Sequence, residues 1–140
     1  IQDPGNTGTL IRTAAALGFS GVILTESSAD PFSPKVVQAA AGTALSVWIR
    51  RTPQYLDLVK SLKQSGYALV AADVRGNDKP EMLGQQKKLV LALGNEAAGL
   101  SSELLALADY RVSIPMPPEK APSVNVAVSG GILMYLASLT

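Results

Sequence analysis

Short apolar runs recur along the chain and are bounded by turn-forming residues. They lie at 21–25 (GVILT), 45–50 (LSVWIR), 67–73 (YALVAAD), 88–94 (KLVLALG) and 110–115 (YRVSIP). Runs of this length predict β-strands. Two of them, at 67–73 and 88–94, are apolar at nearly every position, as is typical of strands in a parallel sheet that is covered on both faces.

Stretches with helical signals separate these runs. They lie at 6–18, 33–42, 53–66, 101–108 and 123–139. Three of them end at a glycine, and the second opens with Ser33 and Pro34, the residue types that favour a helix start. Because strands and helices alternate, the sequence predicts one α/β domain over residues 1–140, with a mainly parallel sheet flanked by helices.

Composition narrows the possible chemistry. The chain has 140 residues, of which 47% are hydrophobic and 16% are charged, so it has the means to build a dense core. It contains no cysteine and no histidine. This excludes disulfides, Cys/His zinc sites, a catalytic triad and a cysteine nucleophile within these residues. Catalysis must therefore use other polar side chains, backbone groups or a bound cofactor.

Charge alone does not indicate a nucleic-acid-binding protein, since the net charge is +1. Local basic clusters occur at Arg50-Arg51, at Lys87-Lys88 and at Lys60 with Lys63. Such clusters are able to contact a phosphate backbone, although ordinary solvated charge is the more common explanation for each one. No apolar run reaches the roughly 18 residues of a membrane span, and no signal peptide is recognisable, so we expect a cytoplasmic protein with no membrane partner.

A glycine-bounded turn follows the run at 88–94. Gly94 and Gly99 have the spacing of a P-loop, G-x-x-x-x-G-K-S/T, but Leu100 stands where that motif has its lysine. Glu96 within the turn would repel a polyphosphate, and the dinucleotide fingerprint G-x-G-x-x-G is absent. The turn therefore predicts a ligand without phosphates.

Ligands of parallel sheets bind beyond the carboxyl ends of the strands. Three segments of this chain follow such ends: the turn at 94–99, the proline-rich loop at 116–123 (MPPEKAPS) and the turn at 73–78 (DVRGND). Two stiff loops side by side would form a rigid cleft for a small molecule. Asp73 is a weaker candidate for ligand binding. It is an acidic residue at a strand end, where such residues bind ribose hydroxyls in dinucleotide folds.

The last predicted helix is apolar on more than one face and carries Gly130 and Gly131 in its middle. Adjacent glycines cost about 1 kcal/mol each in a helix interior, so a close backbone contact is expected to offset them. A dimer interface and a core helix within one chain explain this pattern equally well.

Three segments together resemble the SpoU, or TrmH-like, family of RNA ribose 2′-O-methyltransferases. The first, DPGNTGTLIRTAAALG, has the family's Asn, Gly and Arg at Asn6, Gly8 and Arg12. The second, LALGNEAAGLS, has the Gly-x-Glu-x-x-Gly-Leu turn at 94–100. The third, IPMPPEKAPSVNVAV, has Ile-Pro-Met followed by Ser-x-Asn-Val at the last helix. The motifs occur in the family order over nearly the whole chain.

The resemblance implies an S-adenosyl-L-methionine site within a C-terminal trefoil knot, a homodimer formed through the C-terminal helix region, and rRNA or tRNA as the partner. A sulfonium methyl donor has no phosphates, which agrees with the missing lysine. The implied cofactor-binding residues are Leu93, Gly94, Asn95, Gly99, Ile114, Met116, Ser123, Val124 and Asn125. The implied catalytic residues are Asn6, Arg12, Glu96, Ser123 and Asn125.

Each catalytic candidate has a simpler explanation. In the catalytic interpretation Arg12 stabilises a ribose alkoxide beside a phosphate; in the simpler one it is an exposed helix arginine. Asn6 would position the ribose or Arg12, or cap a helix. Glu96 would orient Arg12 or Asn6, or bind substrate; its simpler explanation is a solvated turn carboxylate. Ser123 and Asn125 also have the residue types of helix caps.

Two features depart from the family pattern. The third loop contains PPEKAP and lacks the usual glycine, and Val124 replaces a leucine. These changes concern the cofactor loop more than the fold. The main alternative function is a non-catalytic RNA-binding or assembly module that keeps the fold; a Rossmann-like nucleotide enzyme is a third. Because a weakly charged domain binds RNA poorly, and the sequence opens at IQDPGN without methionine, we expect an N-terminal RNA-binding extension outside it.

Overall fold

The described residues form two compact units, each with its own parallel sheet. The computed structural model describes residues 1–41, 46–117, 119 and 124–139. The units are Ile1–Tyr55 and Leu56–Thr140. The predicted α/β class and parallel strand pairing are confirmed, but the strands form a two-stranded and a three-stranded sheet where one sheet was expected.

The first unit alternates helix and strand. Its elements are α1 (Pro4–Ala16), β1 (Gly21–Leu24), α2 (Pro34–Ala40) and β2 (Trp48–Arg51). Proline stands at the first turn of both helices, and Asp3 and Ser33 cap them by accepting hydrogen bonds from backbone N–H groups.

Helices α1 and α2 pack against one side of the β1–β2 pair. The core of this unit contains Ile11, Val36, Ala40 and Val47, with Val22 and Ile49 packed against it. Gly8 allows the two helices to approach closely. A Cβ at Gly8 would lie 2.5 Å from the Cβ of Ala39 and 2.6 Å from the carbonyl oxygen of Val36.

The second unit is built around the central strand β3. Its elements are α3 (Tyr55–Gln64), β3 (Ala68–Ala72), a 3₁₀ helix (Pro80–Gln85), β4 (Leu89–Ala92), α4 (Ser102–Leu107), β5 (Tyr110–Val112) and α5 (Val126–Ala137). The first residue of α3 is also the last residue of the first unit. The strand order is β4-β3-β5, and both pairings are parallel. Val70 of β3 therefore lies between Leu91 and Tyr110.

The core of the second unit joins the sheet to α5 and the 3₁₀ helix. Val70, Leu83, Val112 and Leu133 form it, and each is at most 2% exposed. The 3₁₀ helix Pro80–Gln85 was not predicted from the sequence. Six residues are too few to display a helical period, yet Leu83 is fully buried there.

Several predicted ends differ by a few residues from the observed ones. The strand predicted at 110–115 ends at Val112, and the helix predicted from 123 begins at Val126 because Asn125 caps it. α1 begins at Pro4 because Asp3 is its cap. Asn6 therefore lies inside the first turn, and its interpretation as a cap was wrong. Among the described residues, no helix is both long and apolar enough to cross a membrane.

Candidate functional site

The carboxyl ends of β3, β4 and β5 lie at one edge of the second sheet, because all three strands are parallel. Three segments leave this edge: the turn after β4, the turn after β3 and the chain that follows β5. Leu93 and Ile114, which follow β4 and β5, both pack against the Val70–Val112 core. Both residues therefore lie at the same end of the sheet, on either side of β3. That the two loops form one cleft stays a prediction.

The turn after β4 is closed by its own backbone. Asn95 and Gly99 exchange two backbone hydrogen bonds, of 3.2 Å and 2.9 Å. The side-chain oxygen of Asn95 also accepts hydrogen bonds from the backbone N–H groups of Ala97 and Ala98, at 2.8 Å and 3.2 Å. Four hydrogen bonds within so short a segment hold the turn closed. Glu96 lies between Asn95 and Gly99 and is exposed.

Both glycines of this turn are required by its geometry. Gly99 has φ +70°, a conformation that residues with a Cβ rarely adopt. Gly94 contacts the Gly99–Leu100 backbone so closely that a Cβ would lie 2.6 Å from the carbonyl carbon of Gly99. The motif spacing read from the sequence thus corresponds to a closed loop on the strand end.

The start of α5 supplies the next predicted residues. The side-chain oxygen of Asn125 accepts hydrogen bonds from the N–H groups of Ala127, at 2.8 Å, and Val128, at 3.3 Å. This confirms Asn125 as a helix cap. Val124 is 39% exposed, and Met116 is half-buried in the chain after β5. Ser123 and most of the predicted stiff loop at 116–123 lie outside the described residues.

The turn after β3 is hydrogen-bonded to β5 and to the residue that follows it, a contact that was not predicted from the sequence. The carboxylate of Asp78 accepts a hydrogen bond from the N–H of Arg111 at 2.9 Å. The hydroxyl of Ser113 donates to the carbonyl of Gly76 at 2.9 Å, and a Cβ at Gly76 would lie 2.5 Å from the carbonyl oxygen of Arg111. The D-x-x-G pattern of Asp73–Gly76 was the available signal, since it is typical of a tight turn.

Asp73 itself is engaged within this turn. Its carboxylate accepts a hydrogen bond from the N–H of Arg75 at 3.0 Å and lies 3.9 Å from the guanidinium of Arg111. The side chain is 17% exposed. These contacts stabilise the turn, and ribose binding by Asp73 stays a prediction.

The two candidates of the first motif lie in the first unit, on α1. Arg12 is exposed, and Asn6 is half-buried and donates its backbone N–H to the Asp3 carboxylate at 2.9 Å. They are six residues apart, whereas side chains that meet on a helix are about three or four apart, so α1 does not place Asn6 directly beside Arg12. Whether Glu96 pairs with either residue stays a prediction.

A family model covers most of the sequence. The model of the SpoU rRNA Methylase family matches residues 1–135. The chain belongs to this SpoU family. The resemblance drawn from the three motifs is therefore confirmed.

SpoU proteins similar to this chain are known in sequence and in structure. The 23S rRNA (guanosine(2553)-2′-O)-methyltransferase of Bacillus subtilis is 35% identical over 137 residues, which cover 96% of this chain and 54% of that protein. The SpoU methyltransferase AviRb of Streptomyces viridochromogenes, solved in complex with AdoMet, has a TM-score of 0.88 and 35% identity over 98% of this chain and 53% of its own.

A third similar protein is the AdoMet-bound rRNA methyltransferase of Sinorhizobium meliloti. Its TM-score is 0.88, with 37% identity over 97% of this chain and 52% of its own. The chain thus spans about half the length of the curated relatives that it matches. No cluster of three or more acidic side chains suited to a metal ion occurs within the described parts of the SpoU chain.

Proposed function

We propose that residues 1–140 form the catalytic domain of an S-adenosylmethionine-dependent methyltransferase that acts on a ribose 2′-hydroxyl in ribosomal or transfer RNA. The observation that carries this proposal is the likeness of 98% of the chain, at a TM-score of 0.88, to a SpoU methyltransferase solved with AdoMet. The non-catalytic alternative has no comparable observation in its favour.

The strand-end residues fit an adenosyl group better than a polyphosphate. Leu93, Ile114 and Met116 are half-buried apolar side chains at or after the ends of β4 and β5. Leu100 supplies no positive charge, and Glu96 is a carboxylate, so the turn after β4 disfavours phosphates and tolerates a cation. We assign cofactor binding to Leu93, Gly94, Asn95, Gly99, Ile114, Met116, Ser123, Val124 and Asn125.

The cofactor supplies an activated methyl group, so the protein must orient the ribose hydroxyl and help its proton to leave. We assign to Arg12 the stabilisation of the negative charge that develops on the hydroxyl oxygen. A guanidinium suits this role because it is planar, stays protonated and donates hydrogen bonds to an oxygen and an adjacent phosphate together. The proton of the hydroxyl passes to solvent water and not to this cation.

The other catalytic candidates act by positioning. We assign the holding of the ribose to Asn6 and the binding of substrate to Glu96, whose place in a closed turn limits its movement. We assign contacts with the substrate to Asn125, at the start of α5, and to Ser123. For Asn125 this role is compatible with capping, because its side-chain oxygen holds the helix while its NH₂ group points away from those two N–H donors.

Three further features belong to this proposal. The first is a trefoil knot in the C-terminal part, supported by the likeness to SpoU structures. The second is a homodimer formed through α5. The third is a cytoplasmic location, where ribosomal and transfer RNA are found. The dimer is supported by an exposed apolar stripe with helical spacing on α5, formed by Val128, Ile132 and Tyr135 at 53%, 40% and 55% exposure. Leu139, two residues after the end of α5, is 58% exposed and extends it.

Calorimetric titration with S-adenosylmethionine followed by a methyl-transfer assay tests the proposal. We expect binding by the wild-type chain, and ribose methylation of ribosomal or transfer RNA detected as resistance of the modified linkage to alkaline hydrolysis. Arg12→Ala should keep cofactor binding and lower the rate by about 10²–10³-fold, the usual cost of losing an oxyanion-stabilising donor. A folded wild-type chain without cofactor binding would overturn the proposal, and unchanged methylation by Arg12→Ala would remove Arg12 from it.

A further inference from the structure

Trp48 lies directly on the main chain of β1. The register of the first sheet pairs it with Gly21. A Cβ at Gly21 would lie 1.8 Å, 2.1 Å and 2.4 Å from the indole atoms Cε2, Cδ2 and Cζ2 of Trp48. The ring thus occupies the place where a side chain at position 21 would be. Nevertheless, Trp48 is 50% exposed, so half of this large apolar surface faces solvent.

Trp48 shares its side of the sheet with Arg50. Side chains alternate along a strand, so Trp48 and Arg50 point to one face of β2 and Ile49 points to the other. Ile49 packs in the core formed with α1 and α2. The face that carries Trp48 and Arg50 is therefore the one turned away from this core. We call it the Trp48–Arg50 face.

The two adjacent arginines of β2 differ in their contacts. The guanidinium of Arg51 donates hydrogen bonds to the carbonyl oxygens of Glu26 and Ser28, at 2.7 Å and 3.4 Å, and so holds the loop after β1. The side chain of Arg50 is exposed and makes no hydrogen bond or ion pair with any other residue that the structure describes. Of the basic pair seen in the sequence, only Arg51 has a structural role among these residues.

We propose that the Trp48–Arg50 face binds one nucleotide of single-stranded RNA, with the base stacked on the indole and the phosphate held by the guanidinium. Two residues along a strand span about 6.6 Å, which is of the order of the distance between the base and the phosphate of one nucleotide. Exposed aromatic rings beside cationic side chains are the common means of holding single strands. This inference rests on the proposed function and adds a substrate-binding site outside the three motifs.

RNA fits this face better than a second protein chain does. An apolar protein interface surrounds an exposed tryptophan with other apolar side chains, and charged residues are depleted at its centre. Here the neighbours on the same face are Gly21, which has no side chain, Ile23 and the cation Arg50. A positive charge next to an aromatic ring favours an anion with planar groups. The contact of the ring with the β1 backbone also holds it in place before binding, which lowers the entropic cost.

The fluorescence of Trp48 offers a direct test, because it is the only tryptophan of the chain. The full chain is titrated with a short oligouridylate and, separately, with an abasic oligomer of the same length. We expect the oligouridylate to quench the fluorescence and the abasic oligomer to leave it nearly unchanged, since stacking requires a base. Equal quenching by both, or no quenching while RNA binds, would overturn the proposal.

Single substitutions test the stacking contact of Trp48 and the phosphate contact of Arg50 separately. Affinity for RNA is measured by the fluorescence anisotropy of a labelled oligonucleotide. Trp48→Leu should weaken binding about 5- to 100-fold, the range measured for loss of one stacked base. Arg50→Gln should lower the slope of log K against log salt concentration by about 0.7, as expected for one phosphate contact on a single strand. Lys35→Gln is the matched control, since it removes the same charge from an exposed position of α2, outside the three basic clusters.

A third variant moves the ring without removing it. Gly21→Ala would place a methyl group inside the position of the indole, so quenching and affinity should both fall while the tryptophan remains. Circular dichroism of each variant verifies folding. If Lys35→Gln lowers the salt slope as much as Arg50→Gln does, the phosphate contact is unspecific and the proposal fails. Quenching that depends on protein concentration without RNA would assign the face to a second copy of the chain.

The test distinguishes this inference from the proposed function, because cofactor binding is measured without RNA. A chain that binds S-adenosylmethionine but shows no RNA-dependent change at Trp48 would overturn the inference and leave the methyltransferase proposal standing. A chain that stacks RNA on Trp48 but binds no S-adenosylmethionine would overturn the methyltransferase proposal instead.

Discussion

Gly94 and Gly99 contact each other across the turn that follows β4, with no space for a side chain between them. A Cβ at Gly94 would lie 2.6 Å from the carbonyl carbon of Gly99 and 2.7 Å from the amide nitrogen of Leu100. Because the neighbouring atoms belong to the backbone, the clash cannot be relieved by rotating a side chain.

Gly94→Ala should therefore open the turn and weaken cofactor binding. We expect a loss of about tenfold or more in affinity for S-adenosylmethionine, equivalent to one misaligned hydrogen bond, measured by calorimetry. Gly18→Ala is the control: Gly18 has φ +85° in the first unit and no atom within 4 Å of an added Cβ. It should lose about 1 kcal/mol of stability through backbone strain and keep cofactor affinity. Equal affinities for the two variants would contradict this role of Gly94.

Asn125 permits its structural and binding roles to be separated. Asn125→Ala removes the acceptor for the N–H groups of Ala127 and Val128, and should lower the free energy of unfolding by about 1 kcal/mol. Asn125→Asp keeps a capping oxygen and should restore stability, as measured by urea denaturation. If Asn125→Asp restores cofactor affinity as well, the amide NH₂ has no binding role. We expect the affinity to remain low.

Gly8→Ala tests whether the close approach of α1 and α2 requires glycine. An added Cβ would lie 2.5 Å from the Cβ of Ala39, so the helices must separate, and we expect a loss of about 1–3 kcal/mol in the free energy of unfolding. Gly5→Ala makes the same change in the same helix, where the new Cβ meets only the Asp3 carboxylate, at 3.1 Å. Because alanine favours helix, Gly5→Ala should be neutral or stabilising. Thermal unfolding compares them, and equal melting temperatures would refute the packing argument.

The exposed stripe on α5 predicts how the chain associates. Ile132→Glu should raise the dimer dissociation constant at least about tenfold, because a carboxylate would be buried without a partner. Molar mass from light scattering, measured over a range of concentrations, reports the change. Phe32→Glu is the matched control, since Phe32 is 65% exposed and lies in the first unit, far along the chain from α5. A wild-type chain that is monomeric at micromolar concentration, or dissociation by both variants alike, would count against the α5 dimer.

Sequence patterns predicted most helices and strands because their start signals are local. Ser33, Ser101 and Asn125 each cap a helix, and the side chain alone explains why the helix starts there. The turn at Gly94–Gly99 was predicted for a similar reason, since glycine spacing reports local backbone geometry. That this turn and Ile114 lie at the same end of the sheet also followed from the sequence, through the general rule for parallel sheets.

Features that depend on contacts distant in sequence were not predictable in the same way. Gly8 was read only as part of a motif, because its contact with Ala39 depends on how two helices cross. Trp48 was read as an ordinary strand residue, since an apolar side chain in a strand gives no sign of whether it faces the core or solvent. The Asp78–Arg111 hydrogen bond likewise joins two loops that only the fold brings together.

The strand order also determines when each sheet can form during folding. β1 and β2 are joined through a single helix, so Gly21 and Trp48 meet after a short loop has closed. β3 pairs with β5 across a longer segment of chain, which contains β4 and α4 and must close before Val70 pairs with Tyr110. Closing a longer loop costs more entropy and slows folding. We therefore expect the β3–β5 pairing, which lies nearest the third motif, to form after the β1–β2 pairing, so that the edge of the sheet where we place the cofactor is completed last.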